Sequence, residues 1–261
     1  MQSVFDIFSG GFSFLKGKWT KLTFLFLVVA LLYILCILPI FTFVDFSDFA
    51  DVSNKGVAQT KYWYVTLYEY LISIFVSIPV FWAISVMFLR NIRGEEETFK
   101  VSRLFDGFKD YVRITFTQLL VAICTILWSC LLIVPGIMKY YSYAMTPYVL
   151  YDNPKVGYAN AMDISSNMMY GYRMKLFGLD CLYLLFLLGF SMLISFIVPF
   201  MALGALAGMA VFIAFLIVYL LLVVGCVIFL TSTYLSSRAN FYNQLKMEYE
   251  PSQDLVEPAK E

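Results

Sequence analysis

The densest set of carboxylates in the chain is Glu95-Glu96-Glu97, and clustered carboxylates are what a hard divalent cation takes as ligands. These three stand beside Arg90 and Arg93 and just ahead of an amphipathic stretch. Acids suit the N-terminus of a helix, so the run reads as its solvated head rather than as a metal site. Three further ionisable groups lie inside or against apolar runs: Glu69, Lys139 and Asp180. Each falls near the end of its run, where the expectation is an interfacial charge, Asp180 within reach of Lys175 or Arg173. An intramembrane proton or ion site is the sharper alternative. Lys139 and Tyr143 are the candidates to line a polar cavity. The chain has no histidine, which removes the commonest acid/base, the usual zinc ligand and every His-dependent triad. Its five cysteines, Cys36, Cys124, Cys130, Cys181 and Cys226, all sit in apolar runs without a C-x-x-C. They read as small buried hydrophobes, with no disulfide framework. No phosphate-binding G-x-x-x-x-G-K-[ST] and no G-x-S-x-G occurs. No catalytic residue, metal or cofactor is expected, and the chain is not read as an enzyme.

The elements that hold these groups are lipid-solvated helices. The chain is 61% hydrophobic, 19% aromatic and 14% charged, against about half apolar and a quarter charged in soluble domains. Its formal net charge of zero gives no case for nucleic acid. The first apolar run, Leu22–Val44, has 23 residues, enough to cross roughly 30 Å of hydrocarbon. It starts after Lys21 and lacks a small-x-small exit, so it reads as a retained span rather than a cleaved leader. A polar linker, Asp45–Lys61, leads to a second run, Tyr62–Leu89, opened by Tyr62, Trp63, Tyr64, Tyr68 and Tyr70 at headgroup level. Further runs cover Ile114–Ile137, Leu176–Phe200 and Met209–Thr233, with a short aromatic segment Lys139–Tyr151 after the third. Gly204 and Gly208, in the turn before the last run, form a weak G-x-x-x-G packing signal. Residues 1–247 read as one membrane domain and 248–261 as a polar, disordered tail.

One pattern returns three times: an amphipathic stretch, a glycine, a basic cluster, then an apolar run that reaches Pro39, Pro135 or Pro199. The stretches carry Phe5, Phe8, Phe12 and Leu15; then Val101, Leu104, Phe105, Phe108 and Val112; then Tyr158, Ala161, Met162, Ser165, Met168, Met169 and Tyr172. Each is expected to be a helix lying in the membrane interface. Lys16, Lys18, Lys21, Arg103, Lys109, Arg113, Arg173 and Lys175 fall at their ends and form a belt that an anionic lipid headgroup could contact, at about 1 kcal/mol each. Topology alone would also account for that belt. Pro135-Gly136 is expected to break the third run and send Lys139–Tyr151 back across the bilayer, with Pro147 loosening its second half. With that return, fifteen of the eighteen Lys and Arg residues share one face, leaving Lys55, Lys61 and Lys139 opposite. The positive-inside rule makes the shared face cytoplasmic, together with both termini. The fold expected is therefore all-α: six transmembrane helices in three pairs, each pair preceded by an interfacial amphipathic helix, with five spans as the alternative.

The middle third reads Pro135-Gly136-Ile137, Lys139, Ser142-Tyr143, Met145, Pro147-Tyr148, Leu150, Asp152-Asn153-Pro154, then Ser165, Met169, Gly171 and Leu176-Phe177. It resembles the bacterial integral membrane family called domain of unknown function 975. Leu15-Lys16-Gly17-Lys18-Trp19 near the start, and Tyr234, Ala239, Phe241-Tyr242 and Leu245 near the end, fit the same pattern. After Phe177 the chain departs from it, with Leu179-Asp180-Cys181-Leu182-Tyr183 where the family has a Gly-Trp-containing apolar segment. The resemblance implies a multi-pass protein of the bacterial plasma membrane and names no activity. A looser likeness extends to the membrane halves of glycerophosphodiester phosphodiesterases, which are not the catalytic part. The function expected is a non-enzymatic, lipid-interacting scaffold or accessory subunit with a membrane-protein partner. A small transporter or export/immunity factor with a site near the broken third span is the alternative.

Overall fold

The computed structural model describes residues 3–39, 63–95, 99–199 and 208–256, and every regular element among them is a helix. The linker Asp45–Lys61, the flanking residues 40–44 and Tyr62, Glu96, Glu97 and the turn at 201–207 lie outside the described residues, as does the side chain of Glu69. In chain order the helices are α1 (Val4–Leu15), α2 (Trp19–Ile37), α3 (Trp63–Ile72) and α4 (Ile78–Ile92), the last two joined by a π-helical stretch, Ser73–Ser77. A 3-10 helix (Val101–Phe108) precedes α5 (Tyr111–Leu131), α6 (Ile133–Tyr143), α7 (Thr146–Asp152), α8 (Tyr158–Met168), α9 (Arg173–Ser195) and α10 (Met209–Val256). Five helical stretches are long and apolar enough to cross a membrane: Trp19–Ile37, Trp63–Ile92, Tyr111–Leu131, Arg173–Pro199 and Met209–Tyr249.

The first and third copies of the repeat share one local geometry. Ser3 and Asp6 close a capping box on α1: the Asp6 N–H donates to Ser3 Oγ and the Ser3 N–H to Asp6 Oδ2, both at 3.2 Å. Gly17 then turns the chain into α2 at φ +80°, and Gly171 turns α8 into α9 at φ +83°. This left-handed backbone suits glycine because it has no Cβ to clash. The second copy differs. Its stretch is a 3-10 helix in which Leu104 and Gly107 are buried and Val101 packs on the core, the spacing of three that such a helix requires. A Cβ at Gly107 would stand 2.8 Å from the carbonyl carbon of Pro79 on α4. The α-helical face expected from the sequence is therefore split: Phe105 and Phe108 turn outward, and Val112 belongs to the first turn of α5.

The three amphipathic faces pack on protein rather than lying free. On α1, Ile7, Gly11 and Leu15 are buried against α10, while Phe5 and Phe12 stay exposed and Phe8 stacks on Phe186 at 5.3 Å. Ser236 Oγ donates to the Gly11 carbonyl at 2.8 Å, and a Cβ at Gly11 would stand 2.8 Å from Ser237 N. The expected face of α8 is confirmed in Ala161, Met162, Ser165 and Met168, which are buried; Ser165 Oγ donates to the Ser142 carbonyl of α6 at 2.8 Å.

Neighbouring helices run in opposite directions. Lys18 Nζ at the start of α2 donates to Asn91 Oδ1 at the end of α4, at 3.0 Å, and Tyr68 OH on α3 donates to the Cys36 carbonyl near the other end of α2, at 2.8 Å. Tyr183 OH on α9 meets Ser237 Oγ on α10 at 2.8 Å, and the Phe190 and Phe229 rings lie 6.3 Å apart further along the same pair. The third reversal corrects the expected break. α5 ends at Leu131, Leu132 is extended (φ −156°, ψ 139°), and α6 begins at Ile133. Pro135 is thus in the first turn of α6 rather than at the end of the preceding span; its missing N–H has no intrahelical partner to lose there. Gly136 makes the close approach: a Cβ would stand 2.7 Å from Ser129 Cα. A second break, at Ala144–Met145, separates α6 from α7, with Pro147 in the first turn of α7. α10 runs to Val256, past Glu248, where the sequence led us to expect a disordered tail. It is carried by Leu235, Ala239, Tyr242 and Leu245, which are buried at helical spacing, and by Tyr249, which packs on the same core.

The core lies at one end. It gathers Ile7, Leu15, Phe88, Tyr148, Met169 and Phe241 from α1, α4, α7, the turn after α8, and α10. The far halves of α2, α5, α9 and α10 instead expose Leu31, Leu131, Leu185 and Leu221. Water would not tolerate that much contiguous apolar surface, but hydrocarbon would.

Candidate functional site

The helix ends at the packed pole are joined by charged groups. Arg93, just beyond α4, donates from its two terminal nitrogens to the two oxygens of Asp152 at the end of α7, at 2.7 and 2.9 Å. Lys246 Nζ and Tyr242 OH, both on α10, donate to Asp152 Oδ2 at 3.0 and 2.8 Å. Arg93 Nε donates to Asn243 Oδ1 at 3.2 Å. One carboxylate thus ties three elements that are up to 150 residues apart in sequence. Burial pushes the Asp152 carboxyl up, but the hydrogen bonds from Arg93, Lys246 and Tyr242 outweigh it and hold the group below the usual carboxylate range.

A second carboxylate, Asp106 of the 3-10 helix, receives Lys109 Nζ at 2.7 Å, Arg90 at 3.1 Å and Arg103 at 3.4 Å. Burial raises this carboxyl as well; Lys109 and Arg90 bring it below its ordinary value. Arg90 Nε also donates to Tyr151 OH, which donates to Glu95 Oε2, both at 3.0 Å. Glu95 stands 3.9 Å from Arg93, so the two carboxylate centres form one continuous network.

The eight belt residues divide by direction. Lys16 and Lys21 are exposed, and the Lys109 side chain is 73% exposed. Lys18 is drawn to Asn91, and Arg103 to Asp106. Arg113 turns inward: it donates to the carbonyls of Leu150, Asn153 and Pro154 at 3.0, 3.1 and 2.7 Å. Those carbonyls end α7, where a helix lacks partners for its last C=O groups and favours a cation. Arg113 therefore caps the C-terminal end of α7 and the turn that follows it. Arg173 and Lys175 lie over the rings of Tyr170 and Tyr172, at 5.9 and 5.5 Å. Lys139 lies 5.3 Å from the Trp128 ring centroid and 5.6 Å from that of Tyr143. This places the cation between two aromatic faces.

Asp180 departs from expectation. Its Oδ1 is enclosed without a hydrogen-bond partner, and its surroundings are Tyr141, Tyr234 and Arg238 rather than Lys175 or Arg173. The helix is the reason: Asp180 lies seven residues into α9 and faces α10. Arg93, Asp152, Tyr242, Lys246 and Arg238 were not singled out from the sequence. Asp152 entered only with Asn153 and Pro154 among the residues that carry the family resemblance, and its partners come from distant helix ends that no local spacing connects.

Apolar cavities lie along the helix flanks. One, of ≈ 720 Å³, lies between α2, α4 and α10 and is closed on one side by Phe105 and Phe108. Another, of ≈ 490 Å³, is a cleft between α9 and α10 that includes Phe190, Gly225 and Phe229. Among the described residues no three Cys, Asp or Glu side chains come together as a metal site. The network can fix helix ends and present positive charge, and its carboxylates are taken up by ion pairs. No protein-family model matches the chain, and no curated protein and no solved structure matches it.

Proposed function

We propose that this chain is a six-span protein of the bacterial plasma membrane, with both termini cytoplasmic. In this reading it is non-enzymatic and acts as a lipid-interacting scaffold or accessory subunit of a membrane complex. It belongs to the family called domain of unknown function 975, on the residues that resemble it. The observation that carries the proposal is the division of the molecule into a polar pole and open apolar flanks. At the pole, Lys18, Arg93, Arg113 and Asp152 bring the ends of α2, α4, α5 and α7 to one level. Beyond it, helix flanks need lipid or a partner helix. The contact of Arg113 with the end of α7 supports a return crossing by α6 and α7, which makes six crossings from five long helical stretches. Lys16, Lys21 and Lys109 at the pole suit an anionic inner leaflet. A transporter or export/immunity factor is the second reading, favoured by the interruption between α6 and α7 and by the enclosed Asp180, whose Oδ1 has no donor.

Single cysteines in a cysteine-free background test the topology. Lys139→Cys is expected to label from outside and Lys155→Cys from inside. Labelling of both from one side would remove the return crossing, and with it the common face of the termini.

A further inference from the structure

The same pole that saturates Asp152 and Asp106 leaves another pair of charges unfinished. Arg238 on α10 has its Nε–H enclosed with no acceptor, and Asp180 on α9 has Oδ1 enclosed with no donor. The guanidinium lies over the Tyr234 ring at 5.3 Å, and Asp180, Tyr140 and Tyr148 are the other groups whose charge acts on it. Asp180 in turn faces the hydroxyls of Tyr141 and Tyr234. A buried charge costs several kcal/mol unless it is paired and hydrogen-bonded, about as much for the guanidinium as for the carboxylate. One turn further along α10, Tyr242 helps to complete the Asp152 centre, so the fold can close such a site where nothing else is to enter.

An entrance exists. Arg238 and Asp180 each keep partial exposure, and the seam between α6 and α9 is edged by Tyr140 and Phe177, 45% and 41% exposed. Asp180 stands seven residues into α9, about 10 Å from its polar start, the depth of the phosphate and glycerol of a leaflet rather than of its acyl centre. A guanidinium is suited to a phosphate oxyanion. The carboxylate and the faces of the surrounding tyrosines are suited to an ammonium group.

We propose that Arg238 and Asp180 together bind a zwitterionic phosphoethanolamine group, its phosphate on Arg238 and its ammonium on Asp180, entering through the α6–α9 seam. The inference rests on the membrane reading above and assigns it a headgroup class. The source is either a lipid headgroup or a soluble phosphoethanolamine ester.

The test uses the full chain in nanodiscs of equal parts phosphatidylethanolamine, phosphatidylglycerol and phosphatidylcholine, with retained lipid read by native mass spectrometry. The expected result is one phosphatidylethanolamine kept at least tenfold above the other two classes. Asp180→Asn should reverse the preference toward phosphatidylglycerol, because the site then carries only the arginine charge; a merely structural role would not produce this reversal. Arg238→Lys should keep the class preference with weaker retention, and Arg238→Gln should lose it. Displacement by free phosphoethanolamine would assign the soluble source, and retention despite it the lipid. Equal retention of all three classes, or of none, would overturn the proposal and leave a water-bridged ion pair. Release of the chain from membranes by alkaline carbonate would overturn the membrane reading as well, whereas a chain that stays embedded without selectivity overturns this inference alone.

Discussion

Arg93 grips Asp152 with both terminal nitrogens, at 2.7 and 2.9 Å, across 59 residues of sequence. The fork matches the two carboxylate oxygens, and Tyr242 and Lys246 also donate to Oδ2. The Asp152 side chain is 5% exposed and that of Arg93 18%, so neither partner can turn to water if the other is removed. Replacing Arg93 by Gln leaves Asp152 with Lys246 and Tyr242 and is expected to cost about 1.5–3 kcal/mol, whereas Asp152→Leu takes the carboxylate from both Arg93 and Lys246 and is expected to cost about 3–5 kcal/mol. Thermal unfolding in detergent measures it, and the double variant should cost less than the sum of the two. Strict additivity would mean that the two side chains do not act as a pair.

The same pair sets an acid limit. Asp152 has its pKa depressed in the folded chain, so its stabilisation is present above the unfolded value of about 3.9 and is lost as pH falls through the folded value. Asp152→Asn should therefore be less stable than the parent at neutral pH, and the two unfolding curves should converge below about pH 4. A gap that persists at acid pH would show that the loss comes from packing rather than from charge.

The reversal between α5 and α6 predicts opposite behaviour at adjacent positions. Pro135→Ala should change stability by less than about 1 kcal/mol, because a first-turn proline breaks no helical hydrogen bond. Gly136→Val should disrupt the hairpin, since its Cβ would press on Ser129. Disulfide cross-linking between Leu127→Cys and Tyr140→Cys in a cysteine-free background reads the separation of the two helices. The Gly136→Val variant should lower the yield severalfold, while Pro135→Ala leaves it unchanged.

Two belt residues should part company in the same way. Lys109 is largely exposed, and losing its pair with Asp106 should cost no more than about 1 kcal/mol. Arg113 caps three carbonyls from a partly buried position, and charged hydrogen bonds are worth about 1.5–3 kcal/mol each, so Arg113→Gln should destabilise the chain well beyond that. Flotation with anionic vesicles should show the reverse order for any salt-sensitive lipid contact. A destabilised Lys109→Gln beside an unaffected Arg113→Gln would refute the assignment of the two roles.

α1 supplies a fourth case. Gly11→Val would meet the Ser237 backbone and should release the N-terminal helix from α10, raising proteolysis before Lys16 without changing the helices that follow. Limited proteolysis in detergent would reveal it, and an N-terminus as resistant as the parent's would show that α1 is held by its aromatic contacts instead.

The run lengths, the absence of histidine and the threefold alternation of amphipathic and apolar stretches were enough, from the sequence alone, to specify an all-helical chain with long apolar helices. Each depends on composition and period within one window. The face of α8 was legible for the same reason: Ala161, Met162, Ser165 and Met168 follow one helical period. The face of the second stretch was misread because a three-residue and a 3.6-residue period are hard to tell apart over eight positions, and only the backbone of Pro79 against Gly107 favours the tighter coil. Pro135 was assigned to the break because a proline inside an apolar helical run ends or kinks the helix before it; Leu132, which carries the reversal, has no local signature. The Asp152 centre and the Arg238–Asp180 pair were decided by tertiary structure alone. Their members lie dozens of residues apart, and whether a charge at a helix end meets water, a carbonyl or an opposite charge depends on which other helix ends arrive beside it.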